Sequence, residues 1–292
     1  MRSYSPLIIS VFLLTVSSFA SGKTDDGCYL ENTKSGKEFG IYDALLYSEK
    51  PDLELAGFSP VNMLYAWNFV REAGPGNFKK PTAERLDRVV SKLARNRLSV
   101  IDIEHWPLSR SVSSVDVKKS IDNYTYVISE LSARSPETVF GFYGVVPVRD
   151  FARAKSWRFT GGYREWQRDN SRVKPIADLV GATLPSLYTI TSSVNDWKRR
   201  AQAQIDEARR LAPDVPVYPF LWPDYHPQGG RYPKDLALSG SYWRKQLEFL
   251  SSRADGVVIW GGKDQVWSES DAWWKETKDF IATNFTRKCE QQ

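Results

Sequence analysis

The chain has 292 residues, of which 41% are hydrophobic and 13% aromatic, and this length suits one large α/β barrel as well as two average domains. Its 40 basic and 35 acidic side chains give a formal charge of +5 but form no basic stripe with interleaved aromatics, which argues against a nucleic-acid partner. With only 2 His and 2 Cys, a transition-metal site of soft ligands is not expected, and no cofactor is implied.

The first recognisable element is an export leader. Residues 7–16 are almost entirely apolar, and small residues follow up to Gly22, which predicts a signal peptide over residues 1–22. Its apolar stretch is shorter than the roughly 20 residues of a membrane-spanning helix, and no later segment is apolar enough to span. We therefore expect a secreted protein, extracellular or periplasmic, with residues 23–292 forming one domain. An uncleaved signal anchor is the alternative.

The two cysteines lie near the two ends of the expected mature chain. Cys28 follows the leader, and Cys289 is the fourth residue from the end of the sequence. An exported chain meets an oxidising compartment, so a disulfide between them is predicted. Its formation depends on whether the fold brings the two Cα atoms within reach of each other.

Short apolar runs alternate with segments of helical spacing along the rest of the chain. This alternation predicts a parallel sheet, and the absence of a Gly-rich phosphate loop after the first strand argues against a dinucleotide-binding sheet. We predict a closed α/β barrel of TIM type with about seven to eight strands. The predicted strands are 63–67, 98–102, 139–144, 179–188, 215–220 and 256–260, with 39–46 as a further candidate, and the predicted helices are 82–95, 116–133, 194–211, 242–253 and 270–283.

Two acids stand at the end of the predicted strand 98–102. Because side chains alternate along a strand, Asp102 and Glu104 point to one side, with backbones about 6.6 Å apart. In parallel barrels the reactive groups sit at such strand ends. A structural role, with the acids bound to an Arg or capping the next helix, is the alternative. Other strand ends carry Tyr188, Tyr225 and Trp260, and aromatic rings of this kind suit the C–H faces of sugars.

Several segments resemble those of the animal and venom hyaluronidases. Residues 100–106, Val-Ile-Asp-Ile-Glu-His-Trp, are similar to the Val-Ile-Asp-(aromatic)-Glu-X-Trp motif of that family. Four more segments resemble family segments in the same order, and Trp67-Asn68 is a weaker match to the family's first strand. The four segments are 141–144, 184–188, 217–225 and 254–261.

The resemblance implies an endo-acting β-N-acetylhexosaminidase with a retaining, substrate-assisted mechanism. Glu104 matches the general acid, and Asp102 matches the residue that holds the acetamido N–H. The acetamido carbonyl oxygen of the substrate attacks the anomeric carbon, so the enzyme supplies no nucleophile. Two acids this close are expected to push their pKa values apart, which keeps one of them protonated near neutrality.

The same resemblance implies the binding residues. Tyr225 matches the family Tyr that hydrogen-bonds the acetamido carbonyl, which would orient the nucleophile. Tyr188 matches a second pocket Tyr, Trp260 the wall behind the acetyl methyl, and Tyr143 lies in a matching segment as a further substrate-binding residue. On a strand, Asp224 and His226 should point away from Tyr225 and therefore out of the site.

The chain also departs from the family pattern. Pro107 replaces an Arg that could grip a uronic acid, and the interval between Trp67 and Asp102 is short enough that a whole β/α unit is expected to be lost or rearranged. The polymer therefore stays open between anionic glycosaminoglycans and neutral, chitin-like chains.

Two other functions remain possible from sequence. One is a barrel glycosidase with two enzymic carboxylates, in which Asp224 or Asp264 partners Glu104. The other is a carbohydrate-binding barrel without turnover. A serine hydrolase is disfavoured because the sequence contains no Gly-X-Ser-X-Gly elbow.

Overall fold

The fold is described by a computed structural model covering Thr24 and residues 27–72, 74, 76–94, 97–109, 111–154, 161–227, 232–233 and 236–289. The predicted leader, residues 1–22, lies outside these ranges. The strands are β1 (Cys28–Asn32), β2 (Gly40–Leu45), β3 (Ser59–Pro60), β4 (Asn62–Tyr65), β5 (Ser99–Asp102), β6 (Phe140–Phe142), β7 (Phe220–Leu221), β8 (Gly256–Gly261) and β9 (Phe285–Cys289).

The strands close into a parallel barrel, as predicted. Strand β2 pairs with β8 and β3, β8 pairs with β7, and β5 lies between β4 and β6, all in parallel. Strands β3 and β4 follow each other along the chain and join the two sheets. On the other side, residues 183–189 bridge β6 and β7 through the parallel pairs Tyr143↔Leu184 and Ser186↔Phe220. The ring therefore has seven strand positions.

Prolines explain why the side of the barrel formed by residues 183–189 and 217–221 is held by isolated pairs. Pro185, Pro216 and Pro219 have no N–H to donate to a ladder. They can therefore join the strand pairing only through their carbonyls, which accept hydrogen bonds. Phe220 donates to the Pro185 carbonyl at 2.8 Å, and Val258 donates to the Pro219 carbonyl at 2.9 Å. The predicted strand 179–188 is accordingly present as bridged backbone without a continuous ladder.

Helices cover the outside of the barrel. Residues 194–211 form a helix with the predicted bounds, and three helices begin at a Ser whose side chain accepts the N–H three residues on, an N-cap that stabilises a helix start. The helices are α1 (Ala66–Phe69), α2 (Ala83–Val90), α3 (Ser114–Arg134), α4 (Gly161–Arg172), α5 (Lys174–Ala177), α6 (Val194–Leu211), α7 (Gly240–Ser251) and α8 (Ala272–Asn284), with a 3-10 turn at Glu54–Ala56. Within the described ranges, no helix is long and apolar enough to cross a membrane.

The expected loss of a β/α unit between Trp67 and Asp102 is wrong. Strands β4 and β5 are direct neighbours joined through α2, and the candidate strand 39–46 is present as β2, the first strand of the barrel. Trp67-Asn68 therefore follow the second strand position instead of the first. What the chain lacks is an α-helix between β2 and β3, where the described structure has only the turn Glu54–Ala56.

A two-stranded clasp (β1 and β9) lies beside the amino end of β2. The two strands pair antiparallel with Cys28 opposite Cys289, and the predicted disulfide joins these residues. Phe285 stacks on Phe39, which immediately precedes β2, with ring centroids 5.6 Å apart. A disulfide that constrains a long stretch of unfolded chain stabilises the folded state by about 2–5 kcal/mol.

Candidate active site

Alternation along β5 places two carboxylates at the mouth of the barrel. Val100 belongs to the apolar cluster that fills the barrel, whereas Ile101 and Ile103 belong to the core between barrel and helices. Asp102 and Glu104 share the inward phase of Val100, as the sequence predicts. The Tyr124 hydroxyl donates to the Ile103 carbonyl at 2.7 Å, which fixes the backbone between the two acids.

The two carboxylates stand in different environments. Burial and, to a lesser extent, the neighbouring Glu104 raise the pKa of Asp102 from 3.8 to about 7, while Arg149 acts in the opposite direction. Glu104 is half-exposed and forms a salt bridge with Nη1 of Arg149. Asp102 therefore holds a proton up to near-neutral pH, while Glu104 is paired with Arg149. We call Asp102, Glu104 and Arg149 the ionic wall.

Arg149 lies in the loop after β6 and is anchored by Tyr143. Its guanidinium carbon stands 5.6 Å from the centroid of the Tyr143 ring, a cation–π distance, and Nη1 lies 3.4 Å from the Tyr143 hydroxyl. That hydroxyl also shares a 3.0 Å hydrogen bond with Ser186 on the neighbouring strand segment. Beside the ionic wall, a pocket of about 160 Å³ is lined by Glu104, Arg149, Trp106 and Tyr143 among others.

Four rings form the opposite side of the mouth, which we call the aromatic wall (Tyr188, Trp222, His226 and Trp260). Tyr188 is at its centre, with ring centroids 5.7 Å from Trp222, 5.8 Å from His226 and 5.9 Å from Trp260. Burial raises the pKa of Tyr188, and the nearby Tyr143 and both carboxylates act in the same direction. The structure thus brings Tyr143, Tyr188 and Trp260 together near the carboxylate pair.

Tyr225 lies on the other face of its strand. Its ring stacks on Tyr232 at 4.3 Å and meets Tyr242 edge-on at 6.3 Å, and it packs against the core between barrel and helices. Side chains at alternate positions share a direction. His226 therefore points inward with Phe220 and Trp222, and Tyr225 points outward. The acetamido contact predicted for Tyr225 stays a prediction, and this placement gives it no support.

His226, which the sequence argument left out of the site, belongs to the aromatic wall. Burial lowers its pKa, Arg149 lowers it further, and Glu104 acts in the opposite direction. Of the two alternative partner acids, Asp224 is buried and accepts a hydrogen bond from Gln265, and Asp264 is exposed in the loop after β8.

Two further mouth residues, Tyr65 and Trp67, were not singled out as binding residues from sequence. Tyr65 stands opposite Asp102 in the β4–β5 pairing; burial raises its pKa, the Trp260 side chain acts in the opposite direction, and Asp102 raises the pKa to a smaller extent. Trp67 stacks on Tyr65 with centroids 4.4 Å apart and ring planes at 17°, although 65% of Trp67 is exposed. Among the residues described, no group of three or more His, Cys, Asp or Glu side chains could hold a metal ion.

Comparisons with known proteins agree with the barrel. No protein-family model matches the sequence, and no curated protein is similar to it in sequence. A crystal structure of bee venom hyaluronidase has a TM-score of 0.62 at 14% identity and covers 84% of this chain and 96% of its own. A second structure of bee venom hyaluronidase, in complex with a hyaluronic acid tetramer, has a TM-score of 0.63 at 16% identity and covers 85% and 97%. The chain thus shares its barrel fold with these two structures.

Proposed function

We propose that the protein is an exported endo-acting β-N-acetylhexosaminidase that cleaves an N-acetylated polysaccharide with retention of configuration. The observation that carries this proposal is the pair of inward carboxylates, Asp102 and Glu104, facing a wall of aromatic rings. The likeness to bee venom hyaluronidase, one structure of which holds a hyaluronic acid tetramer, supports a polysaccharide substrate. The disulfide of the clasp suits export to an oxidising compartment.

In the proposed reaction the substrate supplies its own nucleophile. The acetamido carbonyl oxygen forms a bond to the anomeric carbon while the glycosidic C–O bond breaks, and the departing oxygen takes the proton of Glu104. Asp102 accepts the acetamido N–H and stabilises the positive charge of the cyclic intermediate. Water then opens that intermediate at the anomeric carbon and returns a proton to Glu104.

The aromatic wall is suited to hold the acetamido group. Tyr188 and Trp260 present apolar ring surface to a methyl group, and the ring of Tyr143, which lines the pocket beside the ionic wall, lies 5.8 Å from that of Tyr188. The buried indole N–H of Trp222 has no hydrogen-bond partner among the residues that the structure describes. A buried donor is expected to have a partner, and a substrate carbonyl would provide one. We therefore assign to Trp222 the contact first predicted for Tyr225.

The reaction requires a different proton distribution from the resting protein. An acid at Glu104 must carry a proton, whereas the resting side chain is paired with Arg149. Asp102 must be ionised to stabilise a cation, whereas its pKa of about 7 leaves it half protonated at neutral pH. Substrate binding must therefore separate Glu104 from Arg149 and move a proton from Asp102 to Glu104.

The proposal is tested by incubating the purified protein with hyaluronan, chondroitin and chitin oligosaccharides and separating the products. Glu104→Gln should reduce cleavage by about 10²–10⁴-fold, the contribution of a general acid. Glu137→Gln is the matched control, because Glu137 is exposed in the turn before β6, at the amino end of the barrel. Full activity in Glu104→Gln would refute the assignment.

Two outcomes would favour the rival functions. A thiazoline analogue of N-acetylglucosamine mimics the cyclic intermediate and should inhibit only a substrate-assisted enzyme. Cleavage that is insensitive to this analogue would indicate a glycosidase with two enzymic carboxylates. Binding to glycans without any cleavage by the unmodified protein would indicate a barrel that binds carbohydrate without turnover.

A further inference from the structure

Trp67 is an exposed indole that is nevertheless held in one orientation. Its ring lies nearly parallel to Tyr65, with centroids 4.4 Å apart, while 65% of the residue is exposed. Its backbone is also fixed, because its carbonyl accepts a hydrogen bond from Arg85 at 3.2 Å and Asn68 accepts the N–H of Tyr65 at 2.8 Å. An apolar ring fixed in this way presents a preformed flat surface to the solvent.

The position of this surface relates it to the carboxylates. Tyr65 is the register partner of Asp102 on the neighbouring strand, and adjacent strands lie about 4.8 Å apart. Trp67 follows Tyr65 by two residues, in α1 beyond the carboxyl end of β4, and its ring centroid is 4.4 Å from that of Tyr65. The aromatic wall, which would take the acetamido group, is built instead from residues 188, 222, 226 and 260.

We propose that Trp67 forms a separate saccharide subsite, which stacks on the pyranose ring next to the one whose acetamido group faces Asp102. The ligand is a ring of the same polymer, in either its neutral or its anionic form, because an indole face contacts C–H bonds and does not read charge. This inference rests on the proposed function for the identity of the polymer, but the stacking surface itself requires no catalysis.

The subsite is tested by binding in the Glu104→Gln background, in which cleavage is expected to be about 10²–10⁴-fold slower. Disaccharides, tetrasaccharides and octasaccharides of hyaluronan and of chitin are titrated by calorimetry into this variant, alone and with Trp67→Ala or Trp67→Phe added. We expect Trp67→Ala to weaken octasaccharide binding about tenfold while leaving the disaccharide unchanged, and Trp67→Phe to retain part of the affinity. Leu55→Ala is the control, since Leu55 is 82% exposed beside the clasp.

Equal weakening for all lengths, or no weakening for any, would overturn the subsite. Because Trp67 is exposed, Trp67→Ala should melt within a degree or so of its parent, and a much lower melting temperature would also count against the inference. If octasaccharide binding depends on Trp67 but the unmodified protein cleaves nothing, the subsite stands and the proposed function fails. If no oligosaccharide binds, both are wrong.

Discussion

The ionic wall and the aromatic wall line the same mouth but differ in their effect on the stability of the fold: the first lowers it, and the second raises it. Asp102 is a buried carboxyl whose ionised form is disfavoured, and Arg149 is only partly able to offset this. The rings of the aromatic wall are packed on one another and on the barrel interior, where apolar burial stabilises the fold. One wall thus holds groups that the fold tolerates for their chemistry, whereas the other is part of the core.

The largest expected effect is a loss of stability when the aromatic wall is disrupted. Tyr188→Ala removes a ring that is 7% exposed and contacts Trp222, His226 and Trp260, so it should lower the free energy of unfolding by about 3–5 kcal/mol. Denaturant unfolding measures the change. Tyr188→Phe keeps the ring and should stay near the parent, and a Tyr188→Ala protein of unchanged stability would remove the distinction between the walls.

The next largest effect is a loss of catalytic activity when a residue of the ionic wall is changed. Asp102→Asn keeps the shape of the side chain but removes the charge that is proposed to stabilise the cyclic intermediate, so kcat should fall by about 10²–10³-fold. Steady-state kinetics on the polymer that the protein cleaves measures this loss. A fall confined to KM would show instead that Asp102 contributes only to binding.

The same substitution should raise stability, with a defined dependence on pH. Between about pH 4 and about pH 7 the folded protein keeps a proton on Asp102 that the unfolded chain releases, because folding raises this pKa from 3.8 to about 7. Wild-type stability therefore falls as pH rises through this window and levels off above it, whereas Asn does not titrate. Asp102→Asn should gain about 2 kcal/mol at pH 8, since a pKa unit corresponds to about 1.4 kcal/mol and a buried amide has its own desolvation penalty.

Thermal melts of both proteins from pH 4 to pH 8 measure this difference. A gain that is the same at every pH would mean that Asp102 is ionised throughout.

The smallest expected effect comes from Arg149→Gln. Arg149 lowers the pKa of Asp102, so its removal should shift the pH at which the Asp102→Asn difference levels off upward by about one unit or less. Measuring the melts in the Arg149→Gln background gives the shift. Arg88→Gln removes an arginine from an exposed pair with Glu84 on α2 and should leave the pH of levelling-off unchanged. The charge-preserving Arg149→Lys should leave it unchanged as well.

The sequence is informative where one periodicity dominates. Helix α6 has its predicted bounds because its apolar spacing and its Ser193 cap agree, and Asp102 and Glu104 face inward because the buried Ile101 and Ile103 fix the phase of β5. Helix α4 was missed, since it begins at a Gly pair and buries only Tyr163, Trp166, Asp169 and Asn170.

The phase of Tyr225 could not be read in the same way. Its strand is apolar on both faces, with Val217 and Leu221 outside and Tyr218 and Phe220 inside, so no polar residue marks which face is which. Arg149 carries no local signal at all: it meets Glu104, 45 positions away, only because β5 and β6 are neighbours in the barrel.

The clasp also makes most of the chain a covalent ring. The Cys28–Cys289 bond joins residues separated by 261 positions, so both walls of the mouth and every barrel strand lie within the loop that it closes. A single cut by a protease anywhere in that loop leaves the two pieces joined to each other, and they separate only after reduction. Such a cut would show as two bands on a reducing gel and one on a non-reducing gel.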